Sequence, residues 1–404
     1  MRLARACRRL IGVARSRSVV VAGAGIGGLT ASLALARAGF RVVVLDQAER
    51  LEEAGAGIQL SPNATAILTA LGLADGLKSR VVAPEAIHIL RSRDASTIVR
   101  VPLGDDARAA PYWVIHRADL QSALLEALAG VPDIELVLGH KVEDVAVHRN
   151  GITAVARSRA GMRDEHGIAL VGADGIWSTV RGTLGLIRPP SFGHRTAWRA
   201  VVPIDRVPAP CREPSTFLWL GPDAHLVHYP VKAGTALNIV AIVRDEFAQP
   251  GWSAPAARAD LLARFSTWAS TARALLAVPD RWVKWALFDR PPTWRWGKGP
   301  VTLLGDAAHP MLPFLAQGGA MAIEDAAALA RCLEGVTDAP DAALRRYERL
   351  RRRRTARVQR QARQNGVVYH LRGPAALARD LALKAMGGRG LLAHYDWLYD
   401  WRTA

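Results

Sequence analysis

The tightest constraint on the fold of this chain lies near its start. Ser18 to Ala22 reads SVVVA, an unbroken apolar run suited to a strand covered on both faces. It passes directly into Gly23-Ala24-Gly25-Ile26-Gly27-Gly28 and then into an Ala- and Leu-rich stretch that ends at Gly39. Strand, glycine turn and helix in that order form the dinucleotide fingerprint. Gly23 permits the tight turn, Gly25 lets a pyrophosphate approach the backbone, and Gly28 lets the helix pack close to the sheet. Ile26 opens a helix whose first N–H groups and partial positive charge face the phosphates. A second strand, Arg41 to Leu45, ends in Asp46, whose carboxylate suits a ribose. These residues predict a bound ADP moiety, and alone they do not separate FAD from NAD.

Composition excludes several classes. The chain has 404 residues, 50% of them hydrophobic, which is ample for a large core and two to three domains. No stretch of about 18 uncharged apolar residues occurs, so a membrane-spanning helix is not expected. Cys7, Cys211 and Cys332 provide neither a disulfide framework nor metal-ligand spacing, which suits a reducing, cytoplasmic setting and no metal. The net charge of +17 would by itself suggest an anionic partner. Much of it sits in a basic N-terminal extension (1–17) and in the run Arg345 to Arg363. The Arg and Ala richness throughout reads better as compositional bias, so no nucleic-acid partner is expected.

Later segments narrow the cofactor. Gly55-Ala56-Gly57-Ile58-Gln59-Leu60-Ser61-Pro62-Asn63 is a glycine-rich turn running into a helix capped by Ser61 or Asn63, and His116-Arg117-Ala118-Asp119-Leu120 opens another helix. Gly172-Ala173-Asp174-Gly175-Ile176-Trp177-Ser178-Thr179-Val180-Arg181 follows a strand. Strand Val301 to Leu304 leads into Gly305-Asp306-Ala307-Ala308-His309-Pro310, then Pro313 and Gly318-Gly319, before a helix with Glu324 and Asp325. In these motifs, in this order, the chain from about Ser18 onward resembles the single-component FAD-dependent aromatic hydroxylases of the p-hydroxybenzoate hydroxylase-like superfamily. It is most similar to the branch with the salicylate, 3-hydroxybenzoate 6- and 6-hydroxynicotinate monooxygenases. Tyr395-Asp396-Trp397-Leu398-Tyr399 also resembles the salicylate hydroxylase branch.

The resemblance implies FAD as cofactor, NADH or NADPH as transient cosubstrate, and O2. Asp306 would hydrogen-bond ribityl or ribose hydroxyls, and Arg117 would face the pyrophosphate. Gly318 and Gly319 would set backbone N–H groups beside the isoalloxazine carbonyls, with Gly57, Ile58 and Pro313 as further cofactor contacts. Asp174 and Arg181 are expected between cofactor and nicotinamide access, or else as a structural turn with an ion pair. His309 is expected either beside the cofactor or as a hydrogen-bonded core histidine.

Between Arg188 and about Arg290 the pattern changes to alternating segments, Ala197 to Val202, Ser215 to Leu220, His225 to Val231 and Ala236 to Val243. They read as a half-buried antiparallel sheet closing an apolar pocket, with Trp198 and Trp219 as candidate walls. His225 and Tyr229 lie four apart on one strand and so face the same side. A phenol is a better nucleophile as phenolate, which makes a nearby base useful. His225 is the candidate base and Tyr229 orients or relays, matching the His and Tyr pair of the 3-hydroxybenzoate and hydroxynicotinate members; the alternative has His228 pointing inward. Phe314 replaces a residue that is polar or basic in several relatives and predicts an apolar wall. Arg199 is the candidate partner for a substrate carboxylate.

The expected fold is α/β: a doubly wound, Rossmann-like FAD-binding domain of glutathione-reductase type, an inserted, mostly antiparallel β substrate domain, and a helical C-terminus. The expected segments are 18–80, 103–185 and 286–370 for FAD, 81–102 and 186–285 for substrate, and 371–404 for the C-terminal helices. The Arg351 to Arg363 run would form a solvated or acid-paired face of a long helix. The function implied is hydroxylation of a small phenolic or aromatic acid through a flavin C4a-hydroperoxide, by an enzyme that could be a homodimer. A flavin-binding sensor, or a basic protein binding polyanions or membrane surfaces on the same fold, stays open. A flavin halogenase is disfavoured because Trp294-Arg295-Trp296 is followed by Gly297 rather than by that family's motif.

Overall fold

The structure, a computed structural model, describes residues 17–51, 56–104, 110–251 and 253–402. The basic extension before Arg17, Cys7 and Gly55 lie outside the described residues. Among the described residues, five strands form a parallel sheet in the order Val301–Leu303, Ala169–Gly172, Ser18–Ala22, Arg41–Leu45, Ile134–Val137. The valines of Ser18–Ala22 occupy the centre and are fully buried. Helix Ile26–Arg37 is wedged between this sheet and helices Gly318–Leu333 and Arg117–Ala129. Its polar residues fit there because Thr30 and Ser32 donate to the Ile26 and Gly28 carbonyls, at 2.6 and 2.8 Å, within their own helix.

A second sheet carries eight strands in the order Ala254–Ala256, Trp282–Asp289, Ser191–Pro203, Ala236–Arg244, Ala224–Val231, Thr216–Gly221, Ala86–Arg91, Thr97–Pro102. It is antiparallel except where Thr216–Gly221 runs parallel to Ala86–Arg91. Strand alternation sorts its residues into two faces. Arg199, His225, Val227, Tyr229 and Val240 look toward the nucleotide-type sheet. Trp198, Trp219, Leu226 and Ala241 look away and pack with Phe265 and Trp268 beside helices Arg258–Arg264 and Ser270–Ala277. The expectation of Trp198 and Trp219 as pocket walls is therefore wrong. Trp198 neighbours Arg199 on one regular strand, and the two cannot share a face.

Helix Pro62–Ala70 begins after Ser61 without a side-chain cap, because the Ser61 hydroxyl is bonded to Asn63 and Gln317 instead. The long helix Asp341–Tyr369 carries the arginine run. Its face is acid-paired, but Arg351 is not at the surface. It lies fully buried against Glu324 at 2.5 Å and Asp325 at 2.6 Å, while Arg354 makes a second approach to Glu324 at 2.7 Å. Two guanidinium and two carboxylate charges balance, the condition under which such burial is tolerated. Helix Gly373–His394, kinked at Gly387, packs on strand Thr97–Pro102. No described helix is long and apolar enough to cross a membrane. Cys211 and Cys332 are buried free thiols.

Candidate active site

The first glycine turn forms as the fingerprint requires. Gly23 adopts φ +108°, and a Cβ there would strike the Ala173 carbonyl, so no other residue fits. Gly28 abuts the Gly23 carbonyl. The Ile26 side chain is buried in the core, which leaves the residue only its helix-opening N–H to offer a ligand. In front of Gly25 the ground is open: a Cβ would meet nothing within 4 Å. Asp46 accepts the Ala24 and Ala48 amides at 2.6 and 2.8 Å. Together Gly23, Gly25, Asp46, Lys141 and Asp174 line a cleft of about 320 Å³.

Asp174 and Arg181 are not paired with each other. Asp174 accepts the amides of Thr179 and Val180 at 2.8 and 3.1 Å, opening helix Thr179–Thr183, and burial raises its pKa. Arg181 points to the Ala307 carbonyl at 3.0 Å, away from the clefts. Burial, with the nearby Arg290, pushes it down to about 10.

A second cavity of about 270 Å³ separates the two sheets. From the nucleotide side it is lined by Gly57, Ile58, Arg117, Asp306, Pro313 and Gly319. Gly318 begins helix Gly318–Leu333 beside it, one residue before the lining glycine. Asp306 follows the Gly305 turn; burial raises its carboxyl pKa, and His309 and Arg117 pull it back. His309 itself turns to the core, bonded through Nε2 to Asp325 at 2.5 Å, the hydrogen-bonded histidine of the two expected arrangements. Asp325 also accepts the Gly305 amide at 3.0 Å. The Gly57 N–H crosses to Asn238 Oδ1 at 2.7 Å, and a Cβ on Gly57 would lie 2.5 Å from the Tyr229 ring. That close approach ties the second glycine turn to the large sheet.

The opposite wall is the inner face of that sheet, with Arg199, His225, Val227 and Tyr229. His225 and Tyr229 are brought together as expected, both almost wholly buried. Burial, His370 and Arg195 hold His225 well below the usual histidine range, so it is neutral. Burial raises the Tyr229 phenol, so it keeps its proton. His228 faces the other way, stacked on Phe217 with ring centroids 4.6 Å apart. Arg199 lies over Trp285, its guanidinium carbon 3.3 Å from the ring centroid, and both line the cavity. Phe314 is buried edge-on to His225 at 5.3 Å and faces an adjoining apolar cavity of about 190 Å³, which shares His225 and Gln59 with the first.

Residues not singled out from sequence complete the site. They are Trp285, Asn238, Gln59 with its 2.6 Å bond from the Tyr112 hydroxyl, and His370, whose Nε2 is 2.8 Å from His225 Nδ1. Gln59 alone stood inside a recognisable motif.

These features fit FAD. An open glycine at a helix start, a carboxylate at the next strand end and an inter-sheet cavity edged by Asp306 and Gly319 are what its adenylate and ring require. The comparisons agree. Residues 16–362 match the family model described as FAD binding domain. The 3-hydroxybenzoate 6-hydroxylase 1 of Aquipseudomonas alcaligenes is 38% identical over 391 residues, covering 96% of this chain and 98% of that protein. A 3-amino-4-hydroxybenzoate 2-monooxygenase of Streptomyces platensis is 39% identical over 391 residues, 96% of each. Among solved structures, a salicylate hydroxylase substrate complex superposes with a TM-score of 0.80 at 27% identity, covering 96% of both chains. Klebsiella pneumoniae HpxO complexed with FAD and uric acid gives 0.82 at 25%, covering 93% of this chain and 95% of that one.

Proposed function

The chain belongs to the FAD-binding domain family, and we propose that it hydroxylates a small phenolic aromatic acid with His225 as the base that takes the substrate's hydroxyl proton. It is an FAD-dependent aromatic monooxygenase that draws on NAD(P)H and O2. When bound, FAD supplies the hydride acceptor and the centre at which O2 is activated. In this reading the adenylate is held by Gly23, Gly25, the helix-opening amides from Ile26 to Gly28, and Asp46, with Asp174 at the edge of the same cleft. Arg117 would face the pyrophosphate and Asp306 the ribityl or ribose hydroxyls, while Gly57, Ile58, Pro313, Gly318 and Gly319 would border the ring. Arg181 acts from behind, steadying the Ala307 carbonyl.

The observation that carries the reading is His225. It is buried and neutral, lines the cavity, and shares its face of the strand with the protonated phenol of Tyr229. A neutral imidazole removes the hydroxyl proton and raises the electron density of the ring, while Tyr229 donates to the oxygen and fixes its position. Arg199, over Trp285, offers a planar cation to a substrate carboxylate. The apolar wall of Val227, Val240 and Ile242 keeps water from the reacting groups.

The test is purification followed by an absorbance spectrum, then oxygen uptake with NADH and with NADPH against a panel of hydroxylated aromatic acids. A flavin spectrum with phenol-stimulated oxidation and a hydroxylated product is expected. Bound flavin with no substrate-triggered reduction would instead mark a sensor. A cytoplasmic location, where NAD(P)H is supplied, and a homodimer belong to the same proposal, and cell fractionation and sedimentation check them.

A further inference from the structure

His370 ends the long helix Asp341–Tyr369 and sits in no motif, yet its Nε2 lies 2.8 Å from His225 Nδ1. Both rings are buried, at 2% and 7% exposure. Two imidazole nitrogens at this distance share one hydrogen, so one ring donates and the other accepts. The choice decides the chemistry of His225. If His370 donated, His225 would carry its own hydrogen on Nε2 and could only donate to a substrate. If His225 donates, its Nε2 keeps a lone pair and can accept the hydroxyl proton. His225 Nε2 has no hydrogen-bond partner among the described residues, and the residue lines both cavities.

The reading of His225 as the base requires the second arrangement. His370 Nδ1 is buried and has no hydrogen-bond partner among the described residues, so the contact with His225 is the ring's one hydrogen bond. In that arrangement His370 carries its hydrogen on Nδ1 and leaves Nε2 bare toward His225. Phe314 and Tyr369 pack edge-on against His225, with centroids 5.3 and 5.4 Å away, and hold the ring in register. The charged groups facing the pair are Arg195, from strand Ser191–Pro203, and Arg379, from helix Gly373–His394, both cations. They disfavour a resting charge, so both rings start neutral.

We propose that His370 is a positioning residue for the base: by accepting the Nδ1–H of His225 it fixes the tautomer that presents a bare Nε2 to the cavity. This rests on the reading of His225 as the base. In the proton step the substrate O–H bond breaks and an N–H bond forms at His225 Nε2. The Nδ1 hydrogen is then shared more strongly with His370 Nε2, so the pair carries one positive charge beside the phenolate oxygen. It is the logic by which a buried acceptor orients a catalytic histidine elsewhere, with a second imidazole as acceptor.

Nitrogen-15 NMR of histidine-labelled, FAD-loaded protein near pH 8 tests the tautomer without substrate. His225 should show hydrogen on Nδ1 and a bare Nε2, and a hydrogen on Nε2 would overturn the proposal. Turnover with 3-hydroxybenzoate and related hydroxylated acids supplies the second arm. His370→Leu should lower kcat by about 10- to 100-fold with little change in KM, a fraction of what a general base contributes. His370→Gln, whose amide oxygen can accept the same hydrogen, should restore most of it. If His225→Gln abolishes turnover while His370→Leu does not, this inference fails and the base assignment survives. If neither substitution slows turnover, the base assignment fails as well.

Discussion

Arg351 donates from Nε to Asp325 Oδ1 across 2.6 Å, and neither side chain reaches solvent. The other oxygen of Asp325 accepts the Gly305 amide and His309. One guanidinium from the C-terminal part of the chain thus neutralises the carboxylate that shapes the turn before Asp306. Arg351→Met should destabilise the protein by about 3–5 kcal/mol, the cost of leaving buried carboxylates short of their partner, and should speed flavin release. Urea unfolding with and without added FAD measures both. A loss below about 1 kcal/mol would mean the remaining Arg354 contact suffices.

At the other end of the cofactor, Asp46 organises the Ala24 and Ala48 amides beside open Gly25. Asp46→Ala removes the acceptor for both and the carboxylate for the ribose. It should weaken FAD binding by roughly 10-fold or more, from one or two lost charge-assisted bonds. Asp46→Asn keeps an acceptor oxygen and should recover part of the loss. Flavin fluorescence titration of the apoprotein separates the two, and equal affinities in parent and alanine variant would remove Asp46 from the cofactor site.

The cofactor half of the site was legible because its signals are local. A strand, a φ-positive Gly23 and a helix start are written within a few residues, and Gly305 with Asp306 repeats the device. The substrate half depends on strand register, which a single strand does not declare. His225 with Tyr229 followed from alternation, yet Trp198 was set on the same wall as Arg199, against the same rule. Trp285 faces the cavity because Trp282–Asp289 pairs with Ser191–Pro203 in the register Trp285 to Ala197. His370 could not be read at all. Only the folding of the C-terminal helix across the large sheet brings it to His225, 145 positions away in sequence.

His225→Ala should retain FAD and lose hydroxylation, with kcat for product down about 10² to 10⁴, while reduced flavin still reacts with O2 unproductively. Product yield per NAD(P)H oxidised measures this. The pH dependence carries a second expectation. Because burial, His370 and Arg195 hold His225 well below the usual histidine value of about 6.5, the base stays unprotonated as pH falls through that value. Turnover should therefore show no acid limb near pH 6.5; a half-loss there would mean His225 titrates as a solvent-exposed imidazole.

Arg199 is held by Trp285 inside the cavity. If it receives the substrate carboxylate, Arg199→Gln should raise KM for a hydroxybenzoate by about 10- to 100-fold, the worth of a hydrogen bond to a charged group. KM for the corresponding phenol without a carboxylate should change little. Steady-state kinetics on both substrates decide it, and equal increases would assign Arg199 to packing rather than recognition.

His228 lies on the far face of the sheet from the cavity, stacked on Phe217, and neither ring nitrogen has a hydrogen-bond partner among the described residues. Burial, with His88 beside it, pushes it down to about 3; His370 is pushed to about 3 as well, and His225 also lies far below the usual value. In the unfolded chain each histidine binds a proton near pH 6.5. Below that pH the unfolded state holds more protons than the folded one, so stability falls as pH drops from 6.5 toward 3. The slope is roughly 1.4 kcal/mol per pH unit for each such group. His228→Phe keeps an aromatic ring on Phe217 and removes one of these three groups. Its melting temperature should therefore fall less steeply than the parent's between pH 6 and 4, while turnover near pH 8 is unchanged because the ring never reaches the cavity. An acid slope identical to the parent's would show that His228 already takes up its proton in the folded protein.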